Sequence, residues 1–135
     1  MGIIKIFLDT YIIIYIVEKH PIYSSKIEAL MNGLNDDVFC FSPLVRMECL
    51  VMPLRTQDSE LQKLYGAFFN AQRLLAMPIE VFDQAAQFRA DFSSLKTPDA
   101  LHLATAIYHN CGEFWTNDNR LDKVSSNLVK NILTN

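Results

Sequence analysis

The 135-residue sequence lacks any apolar run long enough to cross a membrane. Its most apolar stretch, residues 1–17, is interrupted by Lys5, Asp9 and Thr10, whereas a spanning helix needs about 20 mostly apolar residues. The small-residue cleavage site of a secretory signal is also missing. We therefore expect a cytoplasmic protein that does not bind a membrane.

Cysteine and glycine are scarce. Cys40, Cys49 and Cys111 are odd in number and show no C-x-x-C spacing, which argues against a disulfide framework and against a zinc site. They are expected to be buried thiols of a reducing compartment. No linker rich in glycine and serine and no low-complexity tract divides the chain, so we expect a single domain over residues 1–135.

An excess of positive charge is missing as well. Twelve Lys and Arg residues face fifteen Asp and Glu residues, and the formal net charge is -3. Such a charge gives no overall attraction to a polyanion. On its own it weakly opposes nucleic-acid binding.

What is present is an alternation of short apolar strands and helices. Strands are predicted at residues 3–8, 38–41, 79–82, 113–116 and 129–133, and helices at residues 42–52, 57–77, 83–95 and from 97 until Gly112 ends it. The apolar run 11–17 fits either a helix or a longer first strand. The alternation predicts a three-layer α/β/α fold with a mainly parallel central sheet of four to five strands.

Acidic residues follow the ends of these strands. Asp9 and Asp118 each come just after a strand, and parallel strands end at one edge of the sheet. Asp99 stands in the first turn of a helix that begins at Thr97-Pro98, and Glu48 lies about 9 Å along the helix that Ser42 caps, at 1.5 Å per residue. We expect these carboxylates to converge at the carboxyl edge, where open α/β sheets bind ligands.

Clustered carboxylates repel one another unless a cation neutralises them. Hard oxygen ligands suit Mg²⁺ or Mn²⁺, which can activate a water for attack on a phosphodiester. Taken singly, each acid has a plain structural alternative. Asp9 fits a cap, Asp99 a helix-dipole residue, Asp118 a turn residue and Glu48 a surface position.

Four segments carry a resemblance to a known family. They are Phe7-Leu8-Asp9-Thr10, Arg46-Met47-Glu48, residues 97–106 (TPDALHLATA) and residues 115–121 (WTNDNRL). In this order they resemble the four motifs of PIN-domain ribonucleases of the VapC toxin type. The likeness spans essentially the whole chain, and the third segment is its most specific part.

The resemblance implies a PIN-like fold and endoribonuclease activity on RNA. It implies Mg²⁺ or Mn²⁺ held by Asp9, Glu48, Asp99 and Asp118, and inhibition by a cognate antitoxin. It also implies that Thr116 supports the acidic site by contacting the ligand residues without binding the metal itself. Position 11 departs from the pattern, because the family usually carries a small polar residue where this chain has Tyr11. The bulkier phenol is expected to weaken the activity or rearrange the site.

Basic residues flank the acidic motifs. Lys96 and Arg120 are candidates for holding RNA phosphates. His102 shows no Cys or His partner in the sequence and is assigned a structural or surface role, and Trp115 is assigned to the core. The run 11–17, if helical, is expected to need cover from an antitoxin segment or from a second copy of the chain in a homodimer.

Other acidic α/β proteins fit the sequence less well. A haloacid-dehalogenase-type phosphatase needs a second aspartate two residues after Asp9, where Tyr11 stands. A receiver-type domain needs an aspartate at the end of its third strand and a later lysine, and neither is evident. A catalytically silent PIN-like interaction module remains the alternative, although the retention of all four acids argues against it.

Overall fold

The computed structural model describes residues 2–133, which form one five-stranded sheet flanked by helices. The strands are β1 (Lys5–Leu8), β2 (Val38–Phe41), β3 (Arg73–Leu74), β4 (Glu113–Thr116) and β5 (Val129–Asn131). Their order is β3-β2-β1-β4-β5, and every pairing is parallel. The predicted three-layer α/β/α fold with a parallel central sheet is confirmed.

The helices pack in two groups. They are α1 (Thr10–Val17), α2 (Ser24–Asn32), α3 (Pro43–Arg55), α4 (Ser59–Ala71), α5 (Ile79–Asp91), α6 (Thr97–Tyr108) and a 3₁₀ helix, η1 (Asn119–Lys123). Helix α1 contacts α2 and α3, and α3 contacts α4, while α5 packs along α6. Helix α2 was not predicted from the sequence.

The core is centred on strands β1 and β4. Ile6, Phe7 and Leu8 are fully buried, and the Phe7 ring stacks on Phe114 with centroids 5.1 Å apart. Burial of one such side chain stabilises the fold by about 1.5–3 kcal/mol. The carboxyl ends of these two strands are therefore held by fully buried core residues.

The segment between α4 and α5 differs from the prediction. Residues 79–82 form the first turn of α5 and not a strand, since Val81 and Ala85 bury one continuous helical face. The predicted helix 57–77 ends at Ala71, because the residues after it pair with β2 and do not continue the helix. The Leu75 amide donates to the Phe41 carbonyl oxygen at 2.8 Å, and residues 73–74 become the edge strand.

The apolar run after Asp9 is helical, and the chain itself covers most of it. Ile12, Ile13 and Val17 are buried, whereas Tyr11 is exposed. Ile14 and Ile16 are only partly buried, so cover of the remaining surface by a partner stays a prediction.

Gly112 does not end α6. The helix stops at Tyr108, and the left-handed residue after it is Asn110, with a φ of 58°. Gly112 instead lies against Ile4, whose Cβ would be 3.1 Å from a Cβ at position 112.

The cysteines and the helix lengths bear on the predictions made from the few cysteines and the short apolar runs. The three cysteines are free and buried, as predicted. None of the helices within residues 2–133 has the length and apolar character that a membrane span requires.

Candidate active site

A cleft opens at the carboxyl edge of the sheet, where the strand order changes direction. From β1 the chain first builds outward through β2 and β3, and it later returns to the other side of β1 through β4. Open α/β sheets bind ligands at such a switch point. The cleft has a volume of about 730 Å³, and Asp9, Glu48, Asp99 and Asp118 all line it. The structure thus brings the four predicted acids together.

Asp9 is buried, and each of its carboxylate oxygens accepts one hydrogen bond. The β1–β4 register pairs Leu8 with Trp115, which sets Asp9 beside Thr116. The Thr116 hydroxyl donates to Asp9 Oδ2 at 2.7 Å, and the Thr10 amide donates to Oδ1 at 2.8 Å. Asp9 also caps α1, whose N-terminal partial charge favours a carboxylate. These interactions offset the cost of burying its charge.

Asp99 and Asp118 also stand at helix starts. Asp99 lies in the first turn of α6, and Asp118 precedes η1 and accepts a bond from the Arg120 amide at 2.8 Å. The helix-dipole role of Asp99 and the turn role of Asp118 that the sequence offered therefore coexist with their placement in one cleft. The N-terminal partial charge of a helix favours a nearby carboxylate.

Glu48 reaches the cleft from the second turn of α3. The Ser42 hydroxyl accepts a bond from the Val45 amide at 3.2 Å and fixes where this helix begins. Glu48 Oε1 accepts a bond from the Thr10 hydroxyl at 2.6 Å and lies 2.8 Å from His102 Nε2. Two side chains thus hold one of its carboxylate oxygens.

His102 is a site residue that the sequence analysis missed. It is 2% exposed, and its Nε2 lies 3.9 Å from Asp9 Oδ1 as well as close to Glu48. Among residues 2–133, its Nδ1 is the buried side-chain nitrogen or oxygen for which no hydrogen-bond partner is found. The available signal was spacing, because His102 is three residues after Asp99 and so shares its helical face.

The acids experience different electrostatic environments. Burial, together with the negative charges of Asp9 and Asp118, raises the pKa of Asp99 above the ordinary aspartate value. Hydrogen bonds from Arg120 lower the pKa of Asp118. The surroundings therefore disfavour the ionised form of Asp99 and favour that of Asp118.

Glu48 shows a balance of opposing effects. Its burial acts to raise the pKa, but hydrogen bonds from His102 and Thr10 outweigh burial and keep the pKa below the usual glutamate value. These two neighbours therefore favour the ionised form of Glu48.

The oxygen donors of the cleft suit Mg²⁺ or Mn²⁺ in chemical type. Within the described part of the chain, however, no three acidic, histidine or cysteine side chains surround one point as a ready-made metal site. Glu48 is directed to His102, and Asp118 is directed to Arg120, whose Nη2 lies 2.7 Å from Asp118 Oδ2. The donor set fits such an ion in chemical type, and three of its members, Asp9, Glu48 and Asp118, keep protein partners.

The remaining candidates lie around the rim of the cleft. Tyr11, Lys96 and Arg120 all line it, and Tyr11 is 55% exposed. Trp115 is 2% exposed, so its assignment to the core is confirmed.

The sequence model of the PIN domain matches residues 6–127. The chain belongs to the PIN-domain family. All four acids lie inside the matched range. No curated protein sequence matches this PIN domain.

Solved structures with the same fold are distant in sequence. The chain has a TM-score of 0.81 and 16% identity to VapBC2 from Rickettsia felis bound to a promoter DNA fragment, covering 93% of this chain and 97% of that one. The match to VapBC-1 from nontypeable Haemophilus influenzae has a TM-score of 0.78 and 14% identity, covering 96% of this chain and 99% of that one. The match to VapC20 from Mycobacterium tuberculosis, a toxin that cleaves the sarcin–ricin loop, has a TM-score of 0.74 and 14% identity, covering 89% of this chain and 95% of that one.

Proposed function

We propose that this PIN domain, over residues 1–135, is a metal-dependent endoribonuclease that acts in the cytoplasm as the toxin of a toxin–antitoxin pair. The observation that carries the proposal is the single cleft lined by Asp9, Glu48, Asp99 and Asp118 at the switch point of the sheet. The similarity to toxin structures, one of which is a toxin that cleaves the sarcin–ricin loop, supports it.

The four acids are proposed to hold Mg²⁺ or Mn²⁺. When bound, such an ion polarises a phosphate oxygen and helps a water to lose its proton for in-line attack. Thr116 and the Thr10 amide keep Asp9 oriented by bonding both of its oxygens. His102 and Thr10 bond the same oxygen of Glu48, which leaves Oε2 free to serve as a ligand.

The RNA backbone is proposed to meet Lys96 and Arg120. Both line the cleft, and Arg120 bonds Asp118 through Nε and Nη2. Its Nη1 can then donate to a phosphate oxygen without breaking that pair. These two residues would position the scissile phosphate over the acids.

The direct test is cleavage of a panel of cellular RNAs with Mg²⁺ or Mn²⁺, with and without a chelator. Wild-type protein should cleave only with metal, and Asp99→Asn should not cleave. Equal cleavage by both forms, or cleavage that persists in chelator, would overturn the proposal.

A catalytically weak or silent PIN module is the second candidate. It is favoured by the absence of a ready-made three-ligand metal site within residues 2–133, since Glu48 and Asp118 keep protein partners. Calorimetry with Mn²⁺ separates the two candidates. A silent module would neither bind the ion nor cleave any RNA of the panel.

An antitoxin partner and a homodimer are further parts of the proposal. The exposed apolar residues of α3 that lie outside the cleft offer the surface, and they are Met47, Val51 and Leu54. Structural neighbours include toxin–antitoxin complexes. We propose that an antitoxin segment or a second copy covers this face of α3. Sedimentation of the isolated chain should give a dimer, and a persistent monomer at high concentration would refute that claim.

A further inference from the structure

An exposed aromatic ring stands at the entrance of the acidic cleft. Tyr11 follows Asp9 by two residues and lines the same cleft as Asp99 and Arg120. It is 55% exposed, whereas its helix neighbours Ile12 and Ile13 are fully buried. A large ring in this position is available to whatever enters the cleft.

The ring rests on a fixed aromatic support. Its centroid lies 6.0 Å from that of Tyr15, whose ring in turn contacts His20 at 4.8 Å and Tyr23 at 5.2 Å. The Asn117 amide donates to the Tyr15 hydroxyl at 3.3 Å, and His20 Nδ1 accepts from the Tyr23 amide at 3.2 Å. A surface that is already ordered loses little conformational entropy when it binds a ligand.

Charge alone gives this cleft a weak hold on RNA. The chain has a net charge of -3, and the cleft carries four acids. Among its described lining residues, the Lys and Arg side chains are Lys96 and Arg120, and Arg120 is already paired with Asp118. Counterion release from phosphate contacts is therefore small. Base stacking on an aromatic ring adds a binding contribution that does not depend on charge.

We propose that Tyr11, supported by Tyr15, stacks the unpaired base of a nucleotide next to the scissile phosphate of single-stranded RNA. This rests on the proposed function and adds the substrate's form to it. A paired base in a duplex is already stacked on both faces, so Tyr11 selects loops, bulges and single strands. The stack is tolerant of base identity, since every base has an aromatic face.

The test measures binding separately from cleavage. The probe is a short single-stranded RNA with 2-aminopurine at successive positions, and all proteins carry Asp99→Asn to prevent hydrolysis. Tyr11→Ala should weaken binding by roughly tenfold, within the range that stacking on one aromatic ring provides. Tyr11→Phe should bind within about twofold of the parent, whereas Tyr11→Leu, which keeps apolar area without an aromatic face, should bind like Tyr11→Ala.

Fluorescence gives the specific signature. Quenching of 2-aminopurine at one position should occur with the parent and with Tyr11→Phe and disappear with Tyr11→Ala and Tyr11→Leu. The same RNA in a duplex should show no such position. Phe82 on α5 is 45% exposed and lies outside the cleft lining, so Phe82→Ala is the matched control and should bind like the parent.

The outcomes separate this inference from the proposed function. Metal-dependent cleavage by the wild-type chain, together with unchanged RNA affinity of Tyr11→Ala, would overturn the stacking role and leave the nuclease standing. Faster cleavage by Tyr11→Asn at unchanged affinity would show that the ring obstructs the site and would also overturn it. Loss of binding to a partner chain, but not to RNA, in Tyr11→Ala would assign the ring to a protein contact. Quenching without cleavage by the wild-type chain would support stacking and contradict the nuclease.

Discussion

The acidic cleft and the exposed face of α3 are both unfavourable for the isolated chain, but for different reasons. The cleft gathers four carboxylates that repel one another, and α3 exposes the apolar side chains of Met47 and Leu54 to water. The cleft is partly compensated from within, by bonds from Thr116 to Asp9 and between His102 and Glu48. A bound cation would further stabilise the cleft, whereas contact with another apolar surface would stabilise the exposed side chains of α3.

This difference makes the two regions separable by mutation. Changes in the cleft should alter metal binding, cleavage and the pH dependence of stability. Changes at the exposed apolar residues Met47 and Leu54 of α3, which do not line the cleft, should alter association and leave the chemistry intact.

Asp99→Asn should lower RNA cleavage by more than about 100-fold, since even outer partners of metal ligands are worth 10- to 100-fold. The shape of the side chain is nearly kept, so the circular dichroism spectrum should not change. Asp83→Asn is the control, because Asp83 is an exposed aspartate on α5 that does not line the cleft. A comparable loss in Asp83→Asn would show that the effect is not specific to the cleft.

Asp99→Asn should also change how the stability of the folded protein depends on pH, because it removes one of the repelling charges. The folded state raises the pKa of Asp99, so its ionisation opposes folding. Stability of the wild type should therefore fall, relative to Asp99→Asn, as the pH rises from below the ordinary aspartate pKa through the raised one. Thermal unfolding at pH 3 to 8 measures the difference. A mutant that is less stable at neutral pH would contradict this assignment.

His102→Ala should weaken Mn²⁺ binding by about 10- to 100-fold, as expected when a partner that orients a metal ligand is removed. The pKa of Glu48 should rise, because its burial is then less opposed. His102→Gln, which can place an amide donor near Glu48, should restore part of the affinity. Calorimetry measures the binding, and His109→Ala, outside the cleft, is the control. Unchanged affinity in His102→Ala would remove His102 from the site.

Leu54→Glu should disrupt association through α3 while RNA cleavage persists. Leu54 is 57% exposed, so the monomer should fold normally. A charge buried in an apolar interface is costly, and we expect self-association or antitoxin affinity to fall at least about tenfold. Sedimentation and co-purification with the antitoxin measure this. Phe82→Glu on α5 serves as the control, and an equal loss there would place the interface elsewhere.

Thr116→Val should lower the stability of the fold by about 1.5–3 kcal/mol, the usual contribution of a hydrogen bond to a charged group. The substitution nearly keeps the volume of a fully buried side chain and removes the donor to Asp9 Oδ2. Denaturant unfolding measures the change. A neutral result would show that Asp9 does not depend on this bond.

Much of the fold followed from local patterns. Strand β4 appears at the predicted residues, and helix α3 begins where Ser42-Pro43 predicts. Residues 73–82 were predicted wrongly, because short apolar segments are ambiguous between helix and strand. Pairing of Leu75 with Phe41 across the edge of the sheet decided that segment, and sequence periodicity does not record it.

The sequence by itself determined where each acid stands relative to a strand end or a helix start. That was enough to predict Asp9, Glu48, Asp99 and Asp118 at one edge, because parallel strands end together. Only the tertiary structure decided which neighbours those acids have. His102 comes 54 residues after Glu48 in the chain, and its contact with Glu48 depends on how α3 and α6 pack. Such packing sums many small interactions between distant segments, which no local pattern of residues encodes.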